Sequence, residues 1–242
     1  MSFAANAPDG LDRRKIWWAL LPALLLPTLS AFFYFVIFKD ASVARPIYVA
    51  TKVFTILWPV IATIWLFREK LGLGSASWED HRRSALVGLL SGLAILSLMV
   101  IWMKSPLSSV ILEGGAEVRE KVRSLGFLQH FIPFAIFITL IHSFIEEFFW
   151  RWFVFRNLRR VVALPLAHGL AAVAFASHHL VVTCQYYDFW FAFFLACCVG
   201  IGGLIWSLLY QRYNSLVGPW ISHLLVDAGL MWVGHQMIFP NG

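Results

Sequence analysis

One short motif in the C-terminal half of the sequence contains ionisable side chains that could perform chemistry. It consists of Glu146–Glu147 followed by Arg151. Glu147 and Arg151 are four residues apart, so they share a helical face with the acid on the N-terminal side, which favours an ion pair. Glu146 points about 100° away from that face. The motif therefore predicts one carboxylate held by arginine and one that is free for chemistry, with His142 one helical turn before it.

Two histidine motifs follow further along the chain. His178 and His179 are adjacent in one apolar run, and adjacent helical positions diverge, so we expect at most one of them to face a shared site. His223 and Asp227 are four residues apart in another run, which stacks the imidazole and the carboxylate on one face. A charge at the bilayer centre costs roughly 2.5–3.5 kcal/mol even on insertion scales, so an aspartate there requires a partner from another helix.

The composition shows what kind of element must position these groups. Of the 242 residues, 60% are hydrophobic and 13% are charged, whereas a soluble domain has roughly 25% charged residues. The mean hydropathy is +0.74. These values exclude a soluble globular domain, a disordered chain and a coiled coil. The net charge of +6 does not indicate nucleic-acid binding, because the basic residues form short clusters between apolar runs.

Apolar runs of about 20 residues are long enough to cross a bilayer. The first run follows the charged cluster Asp12–Lys15 and has no small-residue cleavage site, so we expect a retained span and not a signal peptide. Gly88 and Gly92 form a GxxxG pattern that favours close helix packing. The sequence predicts an all-α, polytopic transmembrane helix bundle of about seven spans in one domain, residues 1–242. The runs are 16–38, 47–67, 84–103, 127–149, 164–182, 189–210 and 215–237.

Lysine and arginine in the loops predict the orientation of the bundle, because cytoplasmic loops carry the excess of positive charge. With the N-terminus in the cytoplasm, the inner segments hold twelve of these residues and the outer loops hold six. This distribution predicts an N-terminus inside and indicates a bacterial plasma membrane. The inner residues are Arg13, Arg14, Lys15, Arg68, Lys70, Arg82, Arg83, Arg151, Arg156, Arg159, Arg160 and Arg212. The outer residues are Lys39, Arg45, Lys104, Arg119, Lys121 and Arg123.

The ordered motifs resemble those of the CPBP family, the CAAX-protease and bacteriocin-processing membrane enzymes, also called the Abi family. The similar region covers residues 127–234, and its motifs are Glu146–Glu147–xxx–Arg151, Phe175–xxx–His179 and His223–xxx–Asp227. The resemblance implies a glutamate-dependent intramembrane endopeptidase without a cofactor, acting on a peptide or lipidated protein in the bilayer. It also implies that Glu147 and Arg151 support the reacting groups.

On this resemblance Glu146 activates a water molecule with the help of His179. His223 and the residue at position 227 stabilise the oxyanion of the tetrahedral intermediate. The prenyl-protein branch of the family has asparagine at that last position, whereas this chain has Asp227. An ionised aspartate has no proton to donate. Asp227 therefore acts in its protonated form, or it orients His223 as an imidazolium donor.

Two other functions fit the same residues. Glu146, His179, His223 and Asp227 form a nitrogen and oxygen ligand set for zinc with an open position for water, although the chain has no HExxH motif. A zinc-dependent membrane hydrolase is therefore the first alternative. A non-enzymatic membrane scaffold, immunity factor or small transporter is the second, because packing or proton movement could also account for buried polar groups.

Overall fold

A computed structural model describes residues 12–38, 41–72 and 76–240 of the chain. These residues form helices and no β-strand, which confirms the predicted all-α class. In chain order the helices are α1 (Arg13–Phe32, continued by Phe33–Ile37), α2 (Ala41–Ile61, continued by Ala62–Leu66), α3 (Trp78–Met103), α4 (Ser108–Leu112), α5 (Gly115–Ser124), α6 (Leu128–Val161), α7 (Leu164–Thr183), α8 (Phe189–Tyr213) and α9 (Val217–Ile238).

Six helices of the described residues are long and apolar enough to cross a membrane: α1, α2, α3, α6, α7 and α8. The seventh predicted run, 215–237, forms α9, which has a sufficient length of 22 residues. Its apolar character is weaker because it carries His223, Asp227 and His235. The fold is thus a polytopic helix bundle whose last long helix, α9, carries ionisable residues along its length.

The fourth apolar run is longer than predicted. The prediction placed its end at residue 149, whereas α6 continues to Val161. Arg151 lies inside this helix and is only 2% exposed, so counting it as a loop charge was wrong. Without it, the inner segments hold eleven basic residues, twelve minus one, against six outside. Of the outer six, Lys39 and the side chain of Arg45 lie outside the described residues.

Helix α6 changes its winding on both sides of the two glutamates. Ser143–Glu147 is α-helical, while the flanking segments Ile138–His142 and Phe148–Phe155 are π-helical. The hydrogen bonds of a π-helical turn span one more residue than those of an α-helical turn, and such turns are frequent at functional sites. The two glutamates are therefore presented on a single α-helical turn between two wider turns.

The GxxxG pattern brings α3 against α9. A Cβ atom added to Gly88 would lie 2.2 Å from the backbone oxygen of Gly218, and one added to Gly92 would lie 2.9 Å from the Cα atom of Ser222. No side chain fits at such distances, so glycine is what permits the close approach. The predicted packing role of Gly88 and Gly92 is present, and the contact holds the first turns of α9 where its histidine begins the site.

The other side of the bundle is held together by contacts of α1. Trp58 of α2 donates a hydrogen bond from Nε1 to the backbone oxygen of Ala19, at 2.9 Å. The hydroxyl groups of Thr28 on α1 and Ser177 on α7 are hydrogen-bonded to each other. Helix α2 also packs on α6, where the rings of Phe54 and Phe149 lie 6.2 Å apart, so a side chain of α2 can reach the polar interior.

Candidate active site

The structure brings the three sequence motifs together between α6, α7 and α9. The Oε2 atom of Glu146 lies 3.8 Å from Nε2 of His223, and the same nitrogen lies 3.6 Å from Oδ1 of Asp227. A ring nitrogen of His179 lies within 4.8 Å of a carboxylate oxygen of Glu146. The four residues predicted to be catalytic therefore converge on one buried cluster, and their roles remain predictions.

Glu147 is fully enclosed in this cluster and has two strong partners. Its Oε1 atom lies 3.0 Å from Nη1 of Arg151, which is the ion pair that the spacing predicts. The same oxygen lies 2.7 Å from Nδ1 of His223. A carboxylate is an acceptor, so the nitrogen carries the proton in this hydrogen bond. Glu147 thereby fixes both the arginine and the ring orientation of a residue on another helix.

Helix α8 encloses Arg151 from the opposite side. Nη2 of the guanidinium donates to the backbone oxygen of Gly203 at 3.2 Å. The guanidinium carbon lies 4.7 Å from the ring centre of Phe175 and 5.0 Å from that of Trp206, in cation–π positions. A Cβ atom at Gly203 would lie 3.0 Å from the Phe175 ring and 3.3 Å from Nη2 of Arg151. The glycine makes room for the arginine.

Glu146 has a looser environment made of imidazoles. Its Oε1 atom lies 3.2 Å from Nε2 of His142, one turn earlier on α6, and 3.9 Å from Nε2 of His178 on α7. His142 in turn lies 3.1 Å from the ammonium group of Lys52 on α2, measured at Nδ1. The carboxylate of Glu146 thus has one partner at hydrogen-bond distance on this side and other polar groups slightly farther away.

The prediction that at most one of the paired histidines faces the site is wrong. Ring nitrogens of both His178 and His179 lie within 4.8 Å of Glu146 and of each other. The Cα–Cβ bonds of adjacent helical residues diverge, but each ring also turns about its own side-chain bonds. The ring centres approach to 4.0 Å, and the His178 ring stacks on Trp150 at 5.8 Å. Spacing alone cannot predict that rotation.

The two histidines differ in their hydrogen bonds. Nδ1 of His179 lies 2.9 Å from the backbone oxygen of Phe175, so this nitrogen is protonated and Nε2 is left as the acceptor. Nδ1 of His178 has no hydrogen-bond partner in the described part of the chain. His179 is therefore held in one tautomer suited to accept a hydrogen bond from a water molecule beside Glu146.

The geometry also selects a group that could bind a metal ion. Within the described residues, the compact set of possible ligands is Glu146, His178 and His179, whose ligand atoms lie within 4.8 Å of one another. The set predicted from the sequence contained His223 and Asp227 in place of His178. Those two residues are not part of the compact group, so the predicted zinc ligand set was wrong.

Sequence reasoning missed Lys52 as a site residue. The signal was present, because a lysine inside an apolar run is expensive and marks a functional position by default. Lys52 nevertheless precedes the first catalytic motif by more than 90 residues, since Glu146 opens that motif. Only the packing of α2 against α6 shows that the ammonium group of Lys52 reaches His142 and the cluster.

Comparison with known proteins identifies the region that carries this cluster. Residues 128–229 match the family model described as type II CAAX prenyl endopeptidase Rce1-like. Neither the curated proteins nor the solved structures yield a match. The matched region contains all three motifs and leaves out α1, α2 and α3. Over this region the chain is similar to CAAX protease-type peptidases, and its apolar helices make it an integral membrane protein.

Proposed function

We propose that the chain hydrolyses a peptide bond of a membrane-anchored substrate with a water molecule activated by Glu146. The observation that carries this proposal is the different pairing of the two adjacent glutamates. Glu147 is occupied by Arg151 and by Nδ1 of His223. Glu146 has imidazoles around it and a single partner at hydrogen-bond distance in the contacts described above. A carboxylate of the second kind is available to accept a proton from water.

The reaction divides between Glu146 and His179. Glu146 takes one proton from water, and Nε2 of His179 accepts a hydrogen bond that orients the attacking oxygen. The hydroxide adds to the carbonyl carbon of the scissile bond. When the carbon–nitrogen bond breaks, Glu146 returns its proton to the departing amine, so the carboxylate is regenerated. General acid–base help of this kind contributes typically 10²–10⁴-fold to the rate.

The pair formed by His223 and Asp227 supplies the donor for the oxyanion. Nδ1 of His223 is bound to Glu147, so Nε2 faces the site, 3.8 Å from Glu146 and 3.6 Å from Asp227. An unprotonated Nε2 between two ionised carboxylates would leave three acceptors facing one another. One proton on the pair, on Nε2 or on Asp227, removes this conflict and provides a donor. Such a donor contributes about 2.7–4 kcal/mol to lowering the barrier.

The substrate class follows from the family and from the membrane setting. The chain acts as a single membrane domain on a lipidated C-terminus or on a precursor with a leader segment, and not on nucleic acid. The eleven inner basic residues against six outer ones support a cytoplasmic N-terminus, in a bacterial plasma membrane. An extended peptide next to the bilayer would then reach Glu146 between α6, α7 and α9.

The test is hydrolysis of a lipidated, fluorogenic peptide by the purified protein in detergent or liposomes. The variant Glu146→Gln keeps the shape of the side chain and removes the base, so we expect the rate to fall at least about 100-fold. The matched control is Glu120→Gln, an exposed residue of α5 paired with Arg123, which should leave the rate unchanged. Hydrolysis by Glu146→Gln at the normal rate would overturn the proposal.

A zinc hydrolase remains the second candidate because Glu146, His178 and His179 form a compact ligand group. Metal analysis of the purified active protein separates the two mechanisms. A glutamate base predicts less than stoichiometric metal and no loss of hydrolysis with a chelator. Stoichiometric zinc that disappears together with activity in His178→Ala, and activity that returns when zinc is added to the stripped protein, would replace the glutamate mechanism. Among the described residues, no contact favours the non-enzymatic alternative over a hydrolase.

A further inference from the structure

We propose that Lys52 is a positioning residue of this site, which acts through His142 to orient the carboxylate of Glu146. The inference rests on the proposed function, since it explains how the base is kept ready. It also adds a fourth helix, α2, to the three that carry the sequence motifs. That helix lies outside residues 128–229, so no family motif assigns the role.

The direction of the hydrogen bonds is fixed by the chemistry of the three groups. Nζ of Lys52 lies 3.1 Å from Nδ1 of His142, and Nε2 of His142 lies 3.2 Å from Oε1 of Glu146. An ammonium group only donates, so Nδ1 of His142 is the acceptor and carries no proton. The neutral ring then has its proton on Nε2, which donates to Glu146. The two hydrogen bonds therefore run from the ammonium group through the imidazole to the carboxylate, and Glu146 is the final acceptor.

The position of Lys52 in an apolar helix also supports a positioning role. A lysine in an apolar run is costly in a bilayer and is retained where it serves an ion or proton pathway. Its described polar contacts are the ring nitrogen of His142 and the face of Tyr48, whose ring centre lies 5.5 Å from Nζ. The ammonium group is thus connected to the carboxylate of Glu146 by way of the His142 ring.

The other cation near the two glutamates is already engaged. Arg151 is bound to Glu147 and to the backbone oxygen of Gly203. Lys52 is therefore the cation whose hydrogen bonds lead to Glu146. The charged and titratable groups that face Glu146 come from four helices: Tyr48 and Lys52 of α2, His142, Glu147 and Arg151 of α6, His178 and His179 of α7, and His223 and Asp227 of α9.

The test separates kcat from KM for hydrolysis of the lipidated peptide, because a residue that only packs would not lower kcat alone. Lys52→Met removes the donor to His142, so the carboxylate of Glu146 is no longer held in place. We expect kcat to fall by about 10–100-fold, the effect of a misplaced reacting group, with KM little changed. Lys52→Arg keeps a cationic donor at this position and should keep most of kcat. The control Lys104→Met, at the exposed C-terminal cap of α3, should leave kcat unchanged.

A second pair of variants tests the connection through His142 and does not depend on the folding of Lys52→Met. His142→Leu breaks the connection and should lower kcat as Lys52→Met does. His142→Gln retains an acceptor and a donor in one side chain, so it should keep most of kcat. Combining Lys52→Met with His142→Leu should add little further loss, as expected for residues that act as one unit.

The outcomes separate this inference from the proposed function. An unchanged kcat in His142→Leu, or in a folded Lys52→Met, would overturn the role of Lys52 while Glu146→Gln remained inactive. Normal hydrolysis by Glu146→Gln would instead remove the proposed function and the inference together. A lower kcat in both Lys52→Met and His142→Leu that Lys52→Arg does not show supports the inference.

Discussion

The two adjacent glutamates of α6 occupy regions of opposite character. Around Glu147 the protein is closed, with an arginine at 3.0 Å, an imidazole at 2.7 Å and no exposed surface. Around Glu146 the nearest imidazoles lie between 3.2 and 3.9 Å, and the partners come from α2, α6, α7 and α9. In our proposal the same type of side chain, one position apart, is structural in one region and transfers protons in the other.

The difference comes from what the neighbouring helices offer. Helix α8 contributes a glycine oxygen and a tryptophan ring to the Glu147 side, and both hold Arg151. The Glu146 side is formed by the imidazoles of His142, His178 and His223, which come from three helices. A buried carboxylate is stabilised only when its charge is paired and hydrogen-bonded. In our proposal the first region fixes the geometry, and the second supplies the reactive groups.

Of the predicted effects on stability, the largest is expected when Arg151 is removed from the closed region around Glu147. Arg151→Met leaves the buried carboxylate of Glu147 without its cation, so we expect the free energy of unfolding to fall by about 3–5 kcal/mol. Unfolding by titration with sodium dodecyl sulfate in mixed micelles measures this loss. The control Arg123→Met breaks an exposed pair with Glu120 and should cost less than about 1 kcal/mol. Equal losses in the two variants would contradict the structural role of the buried pair.

Two substitutions of Asp227 test the open region where the oxyanion is expected. Asp227→Ala removes the proton carrier beside His223, and the rate of hydrolysis should fall by about 10²–10³-fold, the effect of losing one oxyanion donor. Asp227→Asn keeps a donor at the same position, so its rate should stay within about tenfold of the unmodified protein. If Asp227→Asn is as damaging as Asp227→Ala, the carboxylate acts as a charge or ligand and not as part of a donor pair.

A smaller effect is expected from adding one methyl group on the α8 side. The new Cβ atom of Gly203→Ala would lie 3.0 Å from the Phe175 ring and 3.3 Å from Arg151. We expect a loss of about 1–3 kcal/mol in the free energy of unfolding from overpacking. In Gly200→Ala the new atom would lie 3.4 Å from the Cβ of Ala176, an ordinary contact, so this control should change stability little. A larger loss at Gly200 would contradict the account of α8.

The sequence was sufficient for the parts of the site that lie on one helix. A spacing of four residues predicted the contact of Glu147 with Arg151 and placed His223 near Asp227. The apolar runs predicted the helices because a membrane span requires a continuous stretch of apolar residues. The ordered motifs predicted a resemblance to CAAX proteases, which the match over residues 128–229 confirmed.

The remaining features depend on contacts between helices and on side-chain rotation. The second imidazole, that of His178, reaches Glu146 through rotation of its ring, which no periodicity encodes. The end of α6 was misplaced because Arg151 reads as a loop charge until its buried partner is known. Lys52 was missed because its connection to His142 spans 90 residues of sequence. Residue spacing describes a single helix, whereas this cluster is assembled from four.

The most direct test of the division between the two glutamates is a paired measurement on Glu146→Gln and Glu147→Gln. Hydrolysis of the lipidated peptide and unfolding in mixed micelles are measured on the same preparations. We expect Glu146→Gln to lose hydrolysis at least about 100-fold with little change in the free energy of unfolding. Glu147→Gln should lower that free energy by several kcal/mol, because the charge of Arg151 loses its buried partner. Similar losses of stability in both variants, or hydrolysis retained by Glu146→Gln, would contradict the account.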